Sequence, residues 1–192
     1  MGTRDALVRA AAELMDSGGL EAVTLRDVGR RAGVSHNAPY KHFAGKEALL
    51  AAVAARELTS RGAALHEILA HGSAAGATLR AALRSYVDWA LARPVRFKLI
   101  YGAWSTGTPE LEAAATSTRA LLTRIVAGAQ DEGALPEGEP ERLTALLLAL
   151  AHGAVDLSLA GHLSPPGTRP LTAADMVNDL LERLKSAGPT PG

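Results

Sequence analysis

Between Ser35 and Phe43 stands a run of side chains suited to reading nucleic acid: His36, Asn37, Tyr40 and Lys41. A carboxamide pairs with adenine, Lys and His donate to the acceptors of guanine, and a phenol reaches phosphate, so the set fits a major groove. The charge around it agrees. From Thr24 to Lys46, Arg26, Arg30, Arg31, Lys41 and Lys46 face one acid, Asp27, a local excess of +4 in a chain whose 20 Lys and Arg balance 20 Asp and Glu. Phosphate attraction reaches only about 8 Å at physiological salt, so the local excess counts for more than the neutral total.

Those side chains need a scaffold, and Leu25 to Phe43 has helix-turn-helix proportions. Thr24-Leu25-Arg26-Asp27 has the form of a capping box, and Leu25, Val28 and Ala32 give the first helix an apolar stripe. Gly33 supplies a left-handed residue at its end, Val34 plugs the space between the helices, and Ser35 offers an N-cap to the second. Ala38 and Phe43 pack inward, and Pro39 is expected in the first turn, where few N–H groups have partners to lose. Before this unit a helix is expected from Arg4 to Ser17, capped by Thr3, and after it a long one from Lys46 to His71.

A second chemistry gathers downstream. Five of the seven aromatics are Tyr86, Trp89, Phe97, Tyr101 and Trp104. Phe97, Tyr101 and Trp104 share a face of one predicted helix, and Tyr86 and Trp89 a face of the one before. The two faces suit either the wall of a cavity for an apolar or aromatic ligand or an ordinary core. Arg93, Arg96 and Lys98 read as solvated surface, or as attraction for an anionic ligand group. His152 and Asp156, at i and i+4, suit a hydrogen bond or a polar pocket floor. A metal would need a third ligand from His66 or His71 that no spacing supplies, so no metal is expected.

Composition bounds the rest. The 192 residues are 47% hydrophobic and 4% aromatic, and strong helix formers dominate, so an all-α fold of about nine helices is expected. The absence of cysteine excludes disulfides, thiolate zinc sites, iron–sulfur clusters and a cysteine nucleophile. No uninterrupted apolar run reaches the ~18 residues of a membrane span, and the start does not resemble a signal peptide, so a cytoplasmic protein without membrane contact is expected. Further helices are expected over 73–92, 94–104, 109–132, 139–163 and 172–187, with a disordered tail over 188–192. The composition shift near Gly45 suggests domains over 1–45 and 46–187.

The 139–163 helix is apolar nearly all round, so both its sides need cover. That cover is either the chain's own core or a second copy. The second alternative makes Leu143, Leu147, Leu150, Ala154 and Leu157, with Val177, Leu180, Leu181 and Leu184 of the last helix, a four-helix interface about a two-fold axis.

The run Val23-Thr24-Leu25-Arg26-Asp27-Val28-Gly29-Arg30-Arg31-Ala32-Gly33-Val34-Ser35, followed by Ala38-Pro39-Tyr40-Lys41-His42-Phe43-Ala44-Gly45-Lys46-Glu47-Ala48-Leu49-Leu50, resembles the N-terminal DNA-binding domain of the TetR family, in register over about residues 4–52. The resemblance implies a three-helix DNA-binding domain followed by a helical ligand-binding and dimerisation domain. It also implies a homodimeric regulator, in most members a repressor, that needs no cofactor. Such a regulator binds a palindromic operator on double-stranded DNA, and a small-molecule effector spreads its two reading heads. It places Thr24 and Arg26 beside phosphate, His36, Asn37 and Ala38 at base edges, Tyr40, Lys41 and His42 between base and backbone, and Lys46 on phosphate, with Ser35 also among the DNA-binding residues. Pro39 and His42 depart from the family's usual residues. Ala151-His152-Gly153-Ala154 is similar to a His-Gly signature of one subgroup. Two other classes stand as alternatives, a helical metal-dependent enzyme centred on His152 and Asp156 and a helical protein-binding adaptor.

Overall fold

Helix formers punctuated by Gly and Pro produce the expected architecture in the computed structural model, which describes residues 2–102, 107–164 and 170–186. Among the described residues there is no strand. The helices are α1 (Thr3–Gly18), α2 (Leu25–Arg31), α3 (Ala38–His42), α4 (Lys46–Ala70), α5 (Ala75–Ala92), α6 (Pro94–Ile100), α7 (Pro109–Asp131), α8 (Pro140–Leu159) and α9 (Ala173–Ser186), with a 3₁₀ turn at Leu20–Ala22.

Local chemistry sets the ends. Thr24 Oγ1 accepts the Asp27 N–H at 3.1 Å and donates to the Asp27 carboxylate at 2.7 Å, which closes the start of α2. Its other end is a Schellman turn. Gly33, at φ +67°, donates to the Arg30 carbonyl at 3.2 Å, and Val34 donates to the Gly29 carbonyl at 3.1 Å.

Four boundaries differ from the sequence expectation. Helix α1 includes Thr3 and is preceded by Gly2, without a side-chain cap. Helix α3 starts at Ala38 rather than after Ser35. Proline explains the shift: with Ser35 as N-cap, Pro39 would be the first residue whose N–H must bond back to the cap carbonyl, and it has none. Helix α6 stops at Ile100, with Tyr101 as its C-cap, so Tyr101 lies at the end of the helix and not within it. A Cβ at Gly102 would stand only 3.2 Å from the Lys98 carbonyl. Helix α8 stops at Leu159 because Gly161, at φ +73°, closes it with a His162 N–H to Leu157 carbonyl bond of 2.9 Å. His162 therefore lies beyond the helix.

The chain divides into two compact units, residues 1–60 with 93–117, and residues 61–92 with 118–192. The composition boundary near residue 45 is thus not the packing boundary. In the first unit Leu7, Met15, Val23, Val28, Phe43, Leu49 and Val53 form one core, joined by Leu99 and Leu111 from the later segment. In the second, α5, α8 and α9 pack on one another around Leu83, Val87, Leu147, Val155 and Val177. Thr172 caps α9, accepting the Asp175 N–H at 3.1 Å while its own N–H bonds the Asp175 carboxylate at 3.0 Å.

Candidate nucleic-acid interface

The base-reading candidates form one solvent-facing surface. Ser35, His36, Asn37, Tyr40, Lys41 and His42 are all exposed, Ala38 is half-buried, and Pro39 is the residue of α3 that turns inward. Tyr40 is 54% exposed, a large ring left in water with no packing need to explain it. The His36 ring lies 5.9 Å from the Tyr40 ring, and its Nδ1 is 3.4 Å from Asn37 Oδ1. Beneath this surface Phe43 is buried, with the Arg4 guanidinium 5.5 Å from its ring centroid. Arg4 also pairs with Glu110.

The phosphate candidates divide by how far the protein already uses them. Thr24 and Arg26 are exposed on α2, the Thr24 hydroxyl being engaged in the cap. Among the described residues Arg26 and Lys41 make no ion pair, whereas Arg30 pairs with Asp27 at 2.9 Å and Arg31 with Glu13 at 2.9 Å. Lys46 is half-buried, and its Nζ donates to the Leu20 carbonyl at 2.7 Å. One of its three N–H donors therefore ties the start of α4 to the 3₁₀ turn, and two are left for an outside anion.

Arg96, expected as solvated surface, is instead a junction. It is 15% exposed, donating to Asp16 of α1 at 2.8 and 2.5 Å and to Glu57 of α4 at 2.7 Å. Burial lowers its pKa. The hydrogen bond to Asp16 and the charges of Glu57 and Asp16 outweigh that, and the net shift is upward. Neither partner was visible from sequence, because they lie 80 and 39 residues away.

The expected ligand-lining residues fall in different units. In the second, the Tyr86 hydroxyl and His152 Nδ1 are 3.2 Å apart, Tyr86 and Trp89 have ring centroids 6.4 Å apart, and the Arg61 guanidinium lies 5.6 Å from the Trp89 centroid. Asp156 is exposed on α8. Phe97 and Tyr101, with centroids 5.6 Å apart, belong to the first unit. Trp104 lies outside the described residues.

The expected interface between copies needs correction. Leu147, Ala154 and Val177 are 2% exposed and Leu181 5%, so these four sit inside the chain's own second unit and are not available to a partner. Leu143, Leu150, Leu180 and Leu184 are half-buried, and Leu157 is 44% exposed. The sequence reading missed Leu146, which is 60% exposed. A helix apolar on every side carries no periodic signal of which side faces in, so composition alone had no means of finding it. Leu146, Leu150, Gly153 and Leu157 share one face of α8, and a Cβ at Gly153 would meet nothing within 4 Å. Leu146 and Leu157 thus leave apolar surface on this face of α8 open to solvent.

Comparison with known proteins reaches both halves of the chain. The model described as "Bacterial regulatory proteins, tetR family" matches residues 7–53, and that described as "Tetracyclin repressor-like, C-terminal domain" matches residues 79–184. Over 56 residues the chain is 45% identical to the tetracycline repressor protein class C of Escherichia coli, a stretch that makes up 29% of this chain and 26% of that repressor. The match thus spans about a quarter of the curated relative's length. A protein of unknown function from Rhodococcus sp. RHA1 is 29% identical, with a TM-score of 0.81 over 97% of this chain and 95% of that one. Two more distant structures share the fold. Thermus thermophilus FadR, a repressor in complex with lauroyl-CoA, is 21% identical with a TM-score of 0.68 over 98% of this chain and 99% of that one. RolR, in complex with resorcinol, is 18% identical with a TM-score of 0.67 over 99% of this chain and 95% of that one.

Proposed function

The chain belongs to the TetR family of bacterial transcription regulators, and on that premise we propose that it is a homodimeric repressor, holding a palindromic operator and released by a small effector. The observation that carries this reading is the exposed polar face of α3, raised on a buried core. Ser35, His36, Asn37 and Ala38 meet base edges, and Tyr40, Lys41 and His42 bridge bases and backbone. Thr24, Arg26 and the two remaining N–H donors of Lys46 hold phosphate, Lys46 at the start of α4, where the helix dipole favours an anion. As a bacterial DNA reader it works in the cytoplasm.

Two copies are needed because a five-residue reading helix spans few base pairs, and a second head doubles the contacts. The uncovered face of α8 around Leu146, Leu150 and Leu157 supports a second copy as its cover. For the effector, Tyr86, Trp89 and His152 offer a polar and aromatic site in the second unit. An apolar or phenolic ligand fits that chemistry, and lauroyl-CoA and resorcinol are the ligands of the two distant relatives.

Selection of bound sequences from a random duplex pool tests the reading. The expected outcome is a palindrome with half-sites about one helical turn or more apart. Tyr40→Ala and Lys41→Ala should each weaken binding to it by about 1–3 kcal/mol without moving the melting temperature. A pool with no enriched motif at low salt overturns the proposal.

A further inference from the structure

The contact between the phosphate-side helix and the base-side helix is unusually bare. Gly29, in the middle of α2, is buried, and Pro39 is the buried residue of α3. A Cβ built on Gly29 would stand 2.9 Å from Pro39 Cγ, 3.4 Å from Pro39 Cδ and 4.0 Å from Val34 Cγ2. The proline ring therefore rests on the backbone of α2 with no side chain between. Glycine is among the poorest residues for a helix interior, and a seven-residue helix has little propensity to spare, so what it supplies here is close approach. The same residue also anchors the turn, since its carbonyl accepts the Val34 N–H at 3.1 Å.

Neither partner can adapt far. Glycine has no side chain to rearrange, and proline has a fixed φ and only the pucker of its ring to change, placed in the first turn where its missing N–H costs nothing. A pair of ordinary side chains would yield by rotating; this pair transmits any change directly to the position of α3. Thr24 and Arg26 belong to or flank α2, and Asn37, Tyr40 and Lys41 belong to or flank α3. A displacement of α3 on α2 thus moves the base-facing set relative to the phosphate-facing set.

We infer that Gly29 and Pro39, which point away from the reading surface, act as a positioning pair that sets operator selectivity through the spacing of α2 and α3. The inference rests on the DNA-reading function proposed above. It makes the two residues interdependent: a methyl group at 29 is harmful only while the ring at 39 is present.

The test uses the full-length chain as Gly29→Ala, Pro39→Ala and the double variant. Each is measured on the motif selected by the unsubstituted protein and on a scrambled duplex at the same salt, beside thermal unfolding. Gly29→Ala should lower the ratio of specific to scrambled binding at least tenfold, with scrambled binding changed no more than about twofold, because phosphate contacts carry the latter. The double variant should recover the ratio to within about threefold. A Gly29→Ala chain that does not fold, beside a double variant that folds and selects the original motif, supports the inference equally. Equal ratios for the unsubstituted chain and Gly29→Ala overturn the inference, and so does a double variant no better than Gly29→Ala. Should the unsubstituted protein select no motif, the DNA-reading function fails, and the melting series still decides on the pair: additive shifts in the double variant reject it.

Discussion

Both units have an apolar core, and they differ in the polar links added to it. In the first, side-chain hydrogen bonds and ion pairs cross between helices: Arg96 joins α6 to α1 and α4, Arg31 joins α2 to α1, Arg4 joins α1 to α7, and Lys46 joins α4 to the 3₁₀ turn. In the second, Arg80 joins α5 to Asn178 and Glu182 of α9, Arg61 of α4 donates to Ser85 of α5, and Tyr86 of α5 meets His152 of α8. Apolar packing is non-directional, whereas a guanidinium fork between two carboxylates fixes three helices at once. The first unit thus contains a shielded ionic junction that fixes three helices, whereas the ion pairs of the second, among the described residues, are exposed.

The largest expected effect comes from the core of the second unit. Leu147→Ala should cost about 2–5 kcal/mol of unfolding free energy, whereas Leu146→Ala, one residue away and facing out, should cost the isolated chain less than about 1 kcal/mol. Urea unfolding at low protein concentration reads the difference, and equal costs would mean that the inward face of α8 has been misassigned. Next comes the ionic junction. Arg96→Met leaves Glu57, 10% exposed, without its cation, at a cost of about 3 kcal/mol. The raised pKa of Arg96 adds stability that is complete below the guanidinium's unfolded value and fades only as pH rises through the folded one. Both values lie far above neutrality, so this contribution should be flat between about pH 5 and 9. Chemical denaturation across that range would contradict the assignment if the cost of Arg96→Met vanished toward pH 9. Smallest is Thr24→Ala, expected to cost about 1 kcal/mol through the lost cap of α2, seen as faster amide exchange over α2 with the rest of the molecule unchanged.

What sequence reveals follows the range of the interactions involved. The ends of α2 are legible because Thr24 with Asp27, and Gly33 with Arg30, act within a few residues. The solvent-facing polar set of α3 is legible as well, since Phe43 and Val34 have an evident inward role. The start of α3 is not, because the Ser35 cap signal misleads unless it is weighed against the missing N–H of Pro39. In α8 the choice of inner face depends on where α5 and α9 lie, and an all-apolar helix records none of that. The Arg96 junction is hidden for the same reason, its role being set by partners distant in sequence.

The first unit is discontinuous in the chain, with residues 93–117 completing what residues 1–60 begin, and this bears on how the protein is born. A ribosome delivers the reading helices first, yet Leu99 and Leu111 of their core, and the cation that neutralises Asp16 and Glu57, are made only after α5. Until about three fifths of the 192 residues have emerged, the core of the nascent head is unfilled, and until Arg96 is made Asp16 and Glu57 lack its charge. Its closure is therefore a late event in synthesis, and a fragment ending at residue 60 would keep the exposed polar side chains of α3 while lacking the segment that completes the core beneath them.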